Sequence, residues 1–120
     1  MESLYRAVNN ILYCKRWKET LSFYRLLLQA PGNRLSDWFV EFHITKTARI
    51  SIADESRASI KSAGGKGITL SLQVEDVNQA WIKMKACNLD PGQIVNHPWG
   101  ARVFYLYDPE GSRIEIWEPS

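Results

Sequence analysis

The sequence predicts an α+β domain built from two βαβββ modules. Two observations lead there. Two amphipathic helices each follow an extended apolar segment, and the breakers that end them, Pro31-Gly32 and Pro91-Gly92, stand 60 positions apart. Shifted by that period, Leu12 meets Leu72, Cys14 meets Val74 and Tyr24 meets Met84. Strand, helix and stop recur in register, as they do when one supersecondary unit is duplicated.

Val8 to Cys14 is the first strand, and Ile68 to Val74 is its counterpart. The latter alternates cleanly, with Ile68, Leu70, Leu72 and Val74 on one face and Thr69, Ser71 and Gln73 on the other. Such alternation puts one face in a core and the other on something polar or wet. The first helix spans about Trp17 to Leu28, with Trp17, Leu21, Tyr24 and Leu28 at helical spacing and Phe23 and Leu27 beside them. The second spans about Val77 to Cys87, on Val77, Ala80, Trp81 and Met84. Asp76 can cap it, and Gln79 sits where a capping-box partner would.

The remaining extended candidates are Asp37 to Ile44 and Ala48 to Ala53, then Gln93 to His97, Ala101 to Tyr107 and Ser112 to Glu118. Asp108-Pro109-Glu110-Gly111 reads as a turn, since Pro presets one backbone angle and Gly accepts the other. The polar stretch around Gly64-Gly65 joins the halves, giving module one as 1–55, a linker as 56–66 and module two as 67–120.

Composition suits one folded domain. Hydrophobic residues make up 45% of the 120 and aromatics 12%, which argues against disorder. A net charge of +2 implies no polyanionic partner. The densest basic cluster, Lys15, Arg16 and Lys18, reads as a solvated helix start, because no basic stripe or stacking platform accompanies it. The acidic start Met1-Glu2 is unlike a signal peptide, and no run approaches the roughly 20 apolar residues that span a bilayer. Two distant cysteines, Cys14 and Cys87, without metal-like spacing are expected to be reduced, so the expected location is the cytoplasm. Neither nucleic acid nor membrane is an expected partner.

Four stretches resemble one family. Leu21-Ser22-Phe23-Tyr24 resembles an "aFY" signature, Val74-Glu75-Asp76-Val77 a "V-x-D-v" helix opening, and Trp99-Gly100-Ala101-Arg102 a "W-G-x-R". Asp108-Pro109-Glu110-Gly111 followed by Ile114-Glu115-Ile116 resembles a C-terminal "DPxGxxxEl" signature. On these residues the chain is similar to the vicinal-oxygen-chelate superfamily of glyoxalases, bleomycin-resistance proteins and dioxygenases. The resemblance implies a curved, mostly antiparallel eight-stranded sheet around a cavity, and a homodimer whose halves are swapped or unswapped. It also admits a role in antibiotic resistance. Many members hold a divalent metal that stabilises an oxyanion on a bidentate substrate.

The metal positions implied by that resemblance fall on Asn9, Thr69, Ser51 and Glu115. Metal-using relatives carry His at the first two. One carboxylate with an amide and two hydroxyls is a poor set for zinc, nickel or iron, and hard cations usually ask for more carboxylate charge. The expectation is therefore no metal and no cofactor. His43 and His97 lie off these positions; only a shifted register would bring His43 with Glu41 into play.

Leu12, Cys14, Ile50, Ile52, Leu70, Leu72, Phe104, Leu106, Ile114 and Ile116 are expected under the helices. Trp81 is expected in the core, Trp17 in the core or at the helix edge, and Trp99 shaping a loop. The expected ligand-binding residues are Glu115, Tyr105, Trp38, Trp117, Asn9, Tyr13, Ser51, Thr69 and Ser71. Tyr105 sits three residues before Asp108, where fosfomycin-resistance relatives face their substrate. A carboxylate among aromatic rings suits a small organic ligand, aromatic or cationic. Three functions remain open from sequence. The chain could be a metal-free small-molecule-binding protein. It could be an enzyme (a lyase, isomerase, transferase or dioxygenase on a vicinal-oxygen substrate), working through a metal or through acid–base chemistry by Glu115 and Tyr105. It could be a dimeric scaffold without a ligand.

Overall fold

A computed structural model describes residues 3–119. The chain divides into two compact units, Met1–Ala63 and Gly64–Ser120. The first contains β1 (Val8–Cys14), α1 (Trp17–Leu27), β2 (Asn33–Ser36), β3 (Phe39–His43), β4 (Ala48–Asp54) and a 3₁₀ turn (Glu55–Arg57). The second contains β5 (Thr69–Gln73), α2 (Val77–Ala86), β6 (Val95–His97), β7 (Ala101–Tyr107) and β8 (Arg113–Pro119). Each unit is thus βαβββ, and the eight strands among the described residues form two four-stranded sheets, ordered β1-β4-β3-β2 and β5-β8-β7-β6.

In each sheet the strand before the helix pairs in parallel with the last strand, and the other two pairings are antiparallel. A parallel partner cannot be reached by a tight turn, which is why a helix lies between them in sequence. α1 packs on β4 and β1, and α2 on β7 and β8. Beneath α1 lie Cys14, Val40, Phe42, Ile50 and Ile52, all but inaccessible to solvent; Phe104, Leu106, Ile114 and Ile116 are their counterparts beneath α2. Leu12, Leu70 and Leu72 are half-buried.

The helices begin differently and end alike. Asp76 caps α2 by accepting the Gln79 N–H at 3.1 Å, and Glu118 reaches from β8 to take the Val77 N–H at 2.9 Å. α1 has no side-chain cap. Both then unwind through a left-handed residue, Gln29 (φ 53°) and Asn88 (φ 59°). Ala30 N–H bonds to Arg25 O at 3.2 Å, and Leu89 N–H to Met84 O at 3.1 Å, the same closure in each unit. Each helix also ties its tryptophan to a backbone carbonyl: Trp17 Nε1 to Ile52 O at 3.0 Å, and Trp81 Nε1 to Gly92 O at 2.7 Å. Both rings are half-buried. The basic start of α1 is solvated, with Arg16 paired to Glu19 at 3.0 Å.

Two segments differ from the sequence expectation. Asp37-Trp38 is a two-residue turn, and the strand begins at Phe39. The strand that precedes the turn, Asn33–Ser36, is exposed along its whole length, so no hydrophobic alternation marks it. Cys14 and Cys87 are free.

Candidate functional site

Strand register decides which side chains share a face. In the second unit, Thr69, Arg113 and Tyr107 form one row across β5, β8 and β7; Ser71, Glu115 and Tyr105 form the next; Gln73, Trp117 and Val103 form a third. All point away from the α2 face. The Asp108–Gly111 turn fixes this register. Asp108 is almost fully buried, its Oδ1 accepts the Glu110 and Ser112 N–H groups at 2.9 Å, and Gly111 turns at φ 91°. Gly65 lies so close to the Gly111 backbone that a Cβ there would collide with it.

The middle row is a hydrogen-bonded cluster. Ser71 Oγ donates to Glu115 Oε1 at 2.6 Å, and the Tyr105 hydroxyl donates to Glu115 Oε2 at 3.3 Å. His97 Nε2 stands 3.3 Å from the same hydroxyl. The Ser71 contact is short and charge-assisted, whereas the two at Tyr105 are longer than the roughly 2.7 Å typical of hydroxyl bonds. Tyr105 is therefore the loosely held member. Burial, and then the negative Glu115 beside it, push the Tyr105 phenol above its ordinary value; the nearby Arg113 opposes this in part. The phenol is thus held protonated, as a donor.

The row nearer the turn is cationic. Arg113 Nε donates to Thr69 Oγ1 at 3.0 Å, and its guanidinium lies 5.0 Å from the centre of the Tyr105 ring. On the β6–β7 side, the Pro98-Trp99-Gly100 turn closes with Gly100 N–H on His97 O at 3.0 Å. It lays the exposed Trp99 ring parallel to His97, with centroids 5.0 Å apart.

In the first unit the corresponding rows are Asn9, Arg49 and His43; Ile11, Ser51 and Glu41; Tyr13, Ala53 and Phe39. Ser51, fully buried, donates to Asn9 Oδ1 at 2.9 Å. His43 Nε2 lies 3.1 Å from Glu41 Oε1, with Arg49 Nη1 at 4.0 Å from the other oxygen. Among the described residues Arg49 Nε is buried and has no hydrogen-bond partner. Trp38 belongs to no row: it sits in the β2–β3 turn, its ring edge-on to Phe39 at 5.8 Å.

The expected residues are therefore divided between the units. Ser71, Tyr105 and Glu115 form one cluster, with Thr69 and Trp117 in the flanking rows, while Asn9 and Ser51 form a separate pair with Tyr13 two rows from Asn9. Sequence reasoning passed over His97, Arg113 and Trp99 as members of this face. A groove lined by Ser3, Tyr5, Arg6, Ala7, Val8 and Thr47 lies on the lead-in to β1 and contains none of the expected residues.

The family model of the glyoxalase-like domain matches residues 7–120. The chain belongs to the glyoxalase-like family. This places it in the wider vicinal-oxygen-chelate superfamily, as the four motifs implied. Solved structures share the fold. A glyoxalase/bleomycin resistance protein from Catenulispora acidiphila is 18% identical, covering 97% of this chain and 100% of its own, with a TM-score of 0.80. A lactoylglutathione lyase from Agrobacterium tumefaciens is 22% identical over 92% of this chain and 91% of its own, at 0.72. TnmS3, an antibiotic-binding protein from a Streptomyces species, is 16% identical over the whole of both chains, at 0.75. No curated protein matches the sequence.

The donors of this glyoxalase-like chain do not fit the metal many of its relatives hold. Asn9 is a neutral amide whose Oδ1 accepts from the Ser51 hydroxyl, and Glu115 is the one carboxylate of the four positions. Thr69 Oγ1 is bonded to a guanidinium, whose charge repels a cation. Among the described residues no three His, Cys, Asp or Glu side chains gather closely enough to hold a metal ion.

Proposed function

We propose that this glyoxalase-like chain binds a small organic molecule without a metal, with Glu115 as the anchoring group. One observation carries this reading: both Glu115 oxygens are oriented by hydroxyl donors, Ser71 and Tyr105. A carboxylate accepts about four hydrogen bonds, so two oriented sites remain for a ligand's N–H groups. Trp117, half-buried in the next row of the same unit, supplies aromatic surface for a planar ligand. The fold shared with TnmS3, which is named as an antibiotic-binding protein, supports this reading. A cytoplasmic homodimer completes the proposal; among the described residues no helix is long and apolar enough to cross a membrane.

Two measurements test it. In melts of EDTA-treated protein, manganese, nickel and zinc are expected to leave the midpoint unchanged, since a metal that binds only the folded state must raise it. A saturable rise would overturn the metal-free reading. In an NMR titration with benzylamine, a small aromatic cation, Glu115→Gln is expected to weaken binding by about 1.5–3 kcal/mol, the range for a hydrogen bond to a charged group. Unchanged affinity in the folded variant removes Glu115 from the role.

A second reading is supported by the His97–Tyr105–Glu115 chain of contacts. A phenol kept protonated between a carboxylate and an imidazole can act as a general acid, its proton replaced through His97. Turnover lost in Tyr105→Phe with binding retained would favour this enzyme over the binding protein.

A further inference from the structure

We propose that the ligand of the second unit is a zwitterion, with its carboxylate or other oxyanion on Arg113 and its amine on Glu115. This rests on the Glu115 reading above and adds the opposite charge.

Arg113 and Glu115 stand two residues apart on β8 and share a face, so their Cα atoms are about 6.6 Å apart by strand rise. Neighbouring opposite charges can pair with each other, as Arg16 at the start of α1 does with Glu19 at 3.0 Å. Here, among the described residues, they do not. Each is held by its own partners instead. Glu115 is turned to Ser71 and Tyr105, and Arg113 to Thr69 and the face of the Tyr105 ring. Tyr105, on the neighbouring strand, contacts both, giving its hydroxyl to one and the face of its ring to the other.

Both charges keep free valence. The guanidinium has five N–H donors and spends the one on Nε, leaving roughly four on the fork that matches a carboxylate. Arg113 is exposed and Glu115 is partly so, which leaves both within reach. Two fixed, unpaired, opposite charges a few ångströms apart are complementary to a molecule carrying the reverse arrangement, and they lose little side-chain freedom when it binds. The Tyr105 ring, covered by Arg113, is not the cation-binding surface of this unit; the amine goes to the carboxylate.

The test is an NMR titration of the whole chain with 4-(aminomethyl)benzoate, benzylamine and 4-methylbenzoate, which carry both charges, the cation alone and the anion alone. The zwitterion is expected to bind at least about tenfold tighter than either half, equivalent to about 1.4 kcal/mol. Arg113→Gln is expected to remove its advantage over benzylamine, Arg113→Lys to keep part of it, and Glu115→Gln to remove its advantage over 4-methylbenzoate. Benzylamine binding as tightly as the zwitterion, or an advantage that survives Arg113→Gln, overturns the zwitterion while leaving the Glu115 site standing. If no probe binds, or binding ignores Glu115→Gln, both fail.

Discussion

The Asp108 carboxylate takes the backbone N–H of Ser112 at 2.9 Å, four residues on, and so sets which residue of β7 stands opposite which residue of β8. The Asp108 N–H returns a bond to Ser112 O at 3.0 Å, closing the hairpin from both sides. Tyr105 faces Glu115 because of this closure. Asp108→Ala would leave the buried Ser112 N–H and the part-buried Glu110 N–H without their carboxylate acceptor. We expect a loss of about 2–4 kcal/mol, read as a lower urea midpoint, with Asp108→Asn falling between.

Tyr105 makes alkaline stability a report on the site. Its folded pKa lies above the ordinary 10.0, so its contribution is complete below about pH 10 and fades as pH rises through the folded value. Urea midpoints measured from pH 8 to 11 should fall at the alkaline end, and Tyr105→Phe should flatten that fall. An equal fall in the variant would place the titrating group elsewhere.

Gly65 tests the packing of the loop on the turn. Any Cβ at this position meets the Gly111 carbonyl group, and the backbone is left-handed at φ 77°. Gly65→Ala therefore combines a backbone collision with conformational strain, for an expected cost of about 2 kcal/mol or more. Gly64→Ala provides the contrast: φ is 66° there too, but nothing lies within 4 Å of a Cβ, so only the smaller strain cost of about 1 kcal/mol applies. Thermal melts of the two variants should differ in that order.

Much of the fold was legible because local chemistry specified it. β1 and β7 lie where their sequences place them, both helices end within one residue of expectation, and the Asp76–Gln79 cap forms. β2 was not legible, since an exposed edge strand carries no apolar pattern. Of the candidate site, strand alternation put Ser71, Tyr105 and Glu115 on one face. It could not show His97 at Tyr105, because that contact depends on how a short strand pairs and how a long side chain leans. Nor could it show that Arg113 bonds to Thr69 rather than to Glu115, a choice made across strands by rotamer and register. Trp38 illustrates the converse: its sequence suits a wall, but the turn it occupies takes it out of the strand rows.

Ser51 and Glu115 occupy corresponding places, each the residue of the last strand that lies opposite the first strand's fourth or third position. Two units of one architecture thus carry different chemistry at the same place. Ser51 is sealed from solvent and satisfied by a single neutral partner, so a charged side chain there would be buried without compensation. Glu115 keeps solvent contact and two hydroxyl partners, and its carboxylate can still accept from outside the chain. The same place in the fold is closed in one unit and open to solvent in the other.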